Sequence, residues 1–93
     1  MQIGENMAKR VKSNLKEIMD SREIKIRQLE AMTKLDENSE PRVKFETIRR
    51  LYHDTTMQYQ RDSIGILCEV LDIELSELLI LVDKEDQTES KNK

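Results

Sequence analysis

The stretch RVKFETIRRLYHDTT, residues 42–56, sets two adjacent guanidinium groups, Arg49 and Arg50, among apolar residues. A guanidinium is permanently charged and presents its N–H donors as a planar fork, so it can grip a carboxylate, a phosphate or a flat pair of acceptors with two parallel bonds. That is the chemistry of recognising an anion. Bond-making chemistry has much less to work with. His53 is the sole histidine and Cys68 the sole thiol. HDTT (53–56) places His, Asp and Thr side by side, but adjacent residues rarely converge on one reacting atom, whereas catalytic triads are assembled in space. Cys68 falls on an apolar helical stripe and reads as a small core residue. There is no metal-ligand spacing and no glycine-rich phosphate loop. No catalytic residue, metal or cofactor is expected, and the chain is read as a non-enzyme.

A cationic face needs an element to hold it. On a wheel at about 100° per residue, a helix over 44–53 gathers Ile48 and Leu51 on one side, with Phe45 and Tyr52 at the edge of that stripe. Glu46, Arg49 and Arg50 fall on the far side. The rest of the chain supplies further helices for the anchored side to meet. Val11, Leu15, Ile18 and Met19 predict a helix over 9–21, and Ile26, Leu29, Ala31 and Met32 one over 25–34. LDENSEPR is polar, and Pro41 disfavours helix at Glu40, so a loop is predicted there. Asp62 is a credible N-cap for a fourth helix carrying Ile64, Leu67, Cys68 and Leu71. A fifth, over 74–81, contributes Leu75, Leu78 and Leu79. Two glycines and one proline leave little punctuation for strands. The expected fold class is all-α: five short helices packed as one globule, since none can bury its apolar face alone.

Ninety-three residues fit one domain. The division expected is an N-terminal arm over 1–8, a helical domain over 9–82 and a disordered polar tail over 83–93. A lone cysteine argues for a reducing cytosol. No run approaches the roughly 18 apolar residues of a membrane span, and no signal-peptide core is visible, so a soluble cytoplasmic protein is expected, without a membrane partner.

The formal net charge is -3. It is unevenly spread: Glu69, Asp72, Glu74 and Glu77 give residues 63–82 a balance of -4, whereas 42–61 carries Arg42, Lys44, Arg49, Arg50 and Arg61 against Glu46 and Asp54, or +3. Local field, rather than net charge, governs which polyanion can approach.

Four blocks in order carry a resemblance: LKEIM (15–19), IKIRQLEAMTKL (24–35), VKFETIRRLYHDTT (43–56) and RDSIGILCEVLDIELSELL (61–79). At this spacing they resemble the Cro-repressor-like helix-turn-helix family, the lambda-repressor-like domains of the xenobiotic-response-element type, over about 15–82. The resemblance implies a compact five-helix DNA-binding domain whose third helix enters the major groove of double-stranded DNA. It implies that Phe45, Glu46 and Arg50 resemble base readers and that Thr47, His53 and Thr56 resemble backbone contacts. Arg42, Lys44 and Arg49 then mostly neutralise phosphate. Lys9, Arg10 and Lys12 form either a basic arm against DNA or a solvated charge run.

The sequence departs from the family pattern in several places. Glu30 stands where a small Ala is usual and is expected to be costly in a tight spot. Glu23 and Lys34 occupy tight-turn Gly positions. Lys44 replaces a capping Ser, which predicts a frayed helix start. DENSEP lengthens the connection before the third helix.

Two readings of LLILV (78–82) stand open: a helix ending deep in the core, or a two-fold homodimer surface through Leu78, Leu79, Ile80, Leu81 and Val82. For function, the first expectation is a sequence-specific transcriptional regulator, most simply a repressor. The alternative is a protein-interaction module on the same scaffold, such as an antitoxin or phage-like accessory protein.

Overall fold

A computed structural model describes residues 9–83. The arm expected over 1–8 and, Asp83 apart, the polar tail lie outside the described residues. The order is β1 (Lys9–Ser13), α1 (Leu15–Arg22), α2 (Ile26–Met32), α3 (Phe45–Tyr52), α4 (Arg61–Leu71), α5 (Leu75–Leu78) and β2 (Leu79–Asp83). The five helices stand where the apolar spacing predicts them. No helix among the described residues is long and apolar enough to cross a membrane.

The all-α expectation is corrected at both ends. Lys9–Ser13 and Leu79–Asp83 form a two-stranded antiparallel ribbon in which Lys9 faces Asp83, Val11 faces Leu81 and Ser13 faces Leu79. The helix predicted over 9–21 therefore begins at Leu15, and the one predicted over 74–81 stops at Leu78. The physical reason is that LILVD is a short apolar run rich in β-branched residues, for which helix and strand periodicities do not discriminate. A partner strand about seventy positions away decides it. The helix does end deep in the core, at the fully buried Leu78, but it stops there and the rest of the apolar run, from Leu79, is strand.

The core joins Leu15 and Met19 of α1, Leu29 of α2, Ile48 and Leu51 of α3, Ile64, Leu67 and Leu71 of α4, and Leu78 of α5. Several residues expected inside stand out: Val11, Met32 and Leu75 are exposed, as is Ala31. Val11 has become strand, whereas Ala31, Met32 and Leu75 remain helical on faces turned to solvent. Asp62 sits in the first turn of α4, after an N-cap at Gln60. Its carboxylate meets the positive end of the helix there without making the cap bond. Arg22 Nη1 donates to the Leu71 carbonyl at 2.6 Å, so α1 caps the end of α4.

Glu23 adopts φ 58°, the left-handed conformation that ends α1. A glycine would adopt it without strain. Lys34 does not take a positive φ; with a longer loop the tight turn is not required. That loop is pinned by Thr33, which is fully buried. Its hydroxyl donates to the Glu30 carbonyl at 2.7 Å and accepts the Val43 N–H at 3.2 Å, while Arg42 Nε donates to the Thr33 carbonyl at 2.7 Å.

Replacing Thr33 with valine keeps the volume but orphans the buried Val43 N–H. Thr33→Val should lower the unfolding free energy by about 1–3 kcal/mol, measured by urea unfolding followed by circular dichroism. An unchanged midpoint would show that the loop is held by other contacts.

Candidate nucleic-acid interface

The basic stretch becomes α3. Ile48 is fully buried and Leu51 nearly so, while Glu46, Arg49 and Arg50 are exposed. The helix is thus gripped along one face and presents the other to solvent. Lys44 at the N-cap makes no side-chain cap bond, as its chemistry predicts, but the helix start is not left unpaired. Glu30 Oε2 accepts the Phe45 N–H at 3.0 Å. The same carboxylate pairs with Arg27 at 3.2 Å, and the Arg27 guanidinium lies 4.0 Å from the centre of the Phe45 ring. The cost expected of Glu30 is therefore corrected: largely buried on α2 but paired with Arg27, it supplies the cap that Lys44 cannot. A carboxylate at a helix N-terminus also meets the positive end of the dipole.

Phe45 is half-buried under Arg27, at one end of the exposed face. Along that face Glu46 holds both arginines. Arg49 donates through Nε and Nη2 at 3.0 and 2.6 Å, and Arg50 through Nε at 3.1 Å. The hydrogen bonds from Arg49, then its charge and the contacts from Arg50, bring the Glu46 carboxyl down to about 2. Glu46 in turn raises the Arg49 guanidinium above its ordinary value.

Thr47 and Arg50 face Thr55, Thr56, Gln58 and Tyr59 across an open groove of about 460 Å³. This turn is polar, and Thr56 Oγ1 donates to the Gln58 carbonyl at 2.6 Å. His53 is exposed just past the end of α3, with its ring edge-on to Tyr52 at 5.0 Å. Tyr52 ties the helix to α1: its hydroxyl donates to Asp20 Oδ1 at 2.9 Å, and Lys16 reaches the other oxygen of that carboxylate at 2.8 Å.

The nine residues singled out from the sequence are not all equally free. Phe45, Glu46, Thr47, Arg49, Arg50, His53 and Thr56 lie on or just past α3. Lys44 reaches Glu40 at 3.5 Å across solvent. Arg42 is half-buried, bonded to Thr33 and 3.8 Å from Glu69, and serves the loop first. Sequence reasoning missed Arg27 and Glu30 as the groups that set the start of α3. Glu30 carried a signal, because it broke the family pattern at a packed position. Cys68 is half-buried, and burial together with Glu74 and Glu77 pushes its thiol up, away from the thiolate a nucleophile needs.

Residues 14–84 match the family model described as the Cro/C1-type HTH DNA-binding domain. No curated protein and no solved structure gives a match.

The Glu46 cluster has a pH signature. Its folded value lies below the ordinary 4.5, so the stabilisation is present above that value and is lost as pH falls toward about 2. In an NMR titration the Glu46 carboxyl carbon should show a midpoint near 2, and Arg49→Ala should return it toward 4.5. A midpoint near 4.5 in the wild-type chain would mean that the arginines do not rest on Glu46.

Proposed function

Since the chain belongs to the Cro/C1-type helix-turn-helix DNA-binding family, we propose that it is a sequence-specific DNA-binding regulator that acts as a repressor by occupying its site. The observation that carries this reading is the division of α3 into a buried face, Ile48 and Leu51, and an exposed face bearing Glu46, Arg49 and Arg50. A major groove about 12 Å wide takes one such helix.

Arg50 is the principal base reader, donating to guanine O6 and N7. To do so it exchanges Glu46 for the base. An exposed ion pair is a weak competitor, so the exchange is favourable at the right base and not at one lacking paired acceptors. The freed Glu46 carboxylate then accepts from a cytosine N4 or continues to orient Arg49. Phe45 meets a thymine methyl. Thr47, His53 and Thr56 contact the sugar-phosphate backbone around the polar turn, and Lys44 and Arg49 neutralise phosphate. Arg42 contributes field rather than a direct bond. Two copies related by a two-fold axis would repeat α3 about one DNA turn apart.

Docking on a protein is the second reading. It is favoured by exposed Leu35 and Met32 beside Asp36, Glu37 and Glu40, which make an acidic, partly apolar loop next to the start of α3. Salt separates the two readings, because counterion release makes DNA affinity fall steeply between low and moderate salt.

Selection from random duplex DNA should enrich one sequence. On it Arg50→Ala should cost about 1–3 kcal/mol and relax preference at a single position. Arg49→Ala should weaken binding to all sequences alike and reduce the salt slope by about 1. No enrichment, or equal binding by the wild-type chain and Arg50→Ala, would remove the proposal.

A further inference from the structure

The guanidinium of Arg27 lies over the Phe45 ring, 4.0 Å from its centre. It comes from α2, outside the helix that carries Glu46, Arg49 and Arg50. Its Nη1 donates to Glu30 Oε1 at 3.2 Å, and the other oxygen of that carboxylate accepts the Phe45 N–H at 3.0 Å. Glu30 thus holds the backbone of Phe45 with one oxygen and the cation above its ring with the other. The Arg27 side chain is 75% exposed and that of Glu30 only 17%, so the anchor is inside and the guanidinium stands in solvent. Among the described residues, Nε and Nη2 of Arg27 make no hydrogen bond. A small residue at position 30, as the family pattern has it, could hold neither the Phe45 N–H nor Arg27.

An exposed cation over a ring and an exposed ion pair each add little stability. What they supply is geometry. Phe45 lines an open groove of about 880 Å³ together with Ile24, Ile26 and Tyr52. An unrestrained ring there gains apolar contact by turning inward onto the two isoleucines. A planar cation on one face of the ring, itself held by Glu30, opposes that turn.

We propose that Arg27 is a specificity-determining residue for DNA recognition: it positions the Phe45 ring to read the 5-methyl group of a thymine, and Glu30 positions Arg27. This role rests on the proposed DNA reading, in which Phe45 stands at the leading end of α3. A methyl group is small and apolar, so only a surface already in place can sense it. A ring free to swing away gives up most of that contact. α2 is the first helix of the helix-turn-helix pair, and such a helix crosses the sugar-phosphate backbone. The unused donors of Arg27 therefore meet phosphate, and its charge and its plane act separately. The charge attracts any sequence. The plane, through the ring, favours one.

The test uses the full chain and the duplex enriched from random DNA, with each thymine replaced in turn by uracil, which lacks only the methyl group. At one position the wild-type chain should bind the uracil duplex about fourfold more weakly, as fits one buried methyl group. Phe45→Ala should bind the two duplexes alike. Arg27→Lys keeps the charge but has no plane to stack, so it should keep the salt slope and lose the discrimination. Arg27→Ala should lose the discrimination and reduce the slope by about 1. Circular dichroism should show both Arg27 variants folded, since the side chain is exposed. Without DNA, NMR should find the Arg27 side-chain protons shifted upfield by the Phe45 ring, and Phe45→Leu should remove the shift. Absence of that shift, or a thymine preference that both folded Arg27 variants retain, would overturn the proposal. Selective binding that Arg50→Ala weakens but that ignores every thymine methyl would overturn this role and leave the DNA reading standing. No selective binding at all would overturn both.

Discussion

Two polar groups at the end of α2 hold the start of α3, and the exposed basic face depends on them. The connection over 34–41 is too long to set an angle between the helices by itself. Length alone is tolerable, because the entropy of closing a loop grows only slowly with its size. What the angle needs is fixed ends. Thr33 supplies one, buried and bonded to Val43 and, through its carbonyl, to Arg42. Glu30 supplies the other by accepting the Phe45 N–H. With those bonds made, Ile48 and Leu51 enter the core in one register, and the opposite face of α3 is left to solvent.

The electrostatics of that face are those of a pre-formed but exchangeable arrangement. Glu46 keeps two arginines in order along an exposed helix and keeps their charges from repelling each other. Being solvent-exposed, the pairs are easily given up for a better acceptor. The acidic residues of α4 and the connection to α5 lie outside this patch, so the net charge of the chain says little about the field in front of α3. Glu40 is the exception, 3.5 Å from Lys44 at the N-cap of α3.

The ribbon brings the two ends of the domain together and ties them to the turn that follows α3. Asp54, at φ 58° in the turn after α3, receives both Arg10 and the Ser13 N–H. Residues that looked like a solvated charge run, or an arm, are thus part of the framework: Arg10 is half-buried with its guanidinium in an internal ion pair. One strand of the ribbon braces the turn after α3 through Asp54, and the other carries the exposed Leu81.

Much of this was legible in the sequence. Leu15 with Met19, Ile48 with Leu51, and Ile64, Leu67 and Leu71 each lie on one side of a 3.6-residue helix, so those positions identified the helices and the core. The separation of Arg49, Arg50 and Glu46 from Ile48 and Leu51 followed from the same periodicity. The ordered blocks carried the family. What the sequence alone left undecided were outcomes that depend on partners far away along the chain. Glu30 became a cap only because folding sets it against Phe45, fifteen residues on. Lys9–Ser13 and Leu79–Asp83 became strands only because they meet. Local spacing specifies which face of a segment is apolar. Whether a five-residue segment is helix or strand is decided by main-chain hydrogen bonds, and for these two segments every partner in the ladder comes from the other end of the domain.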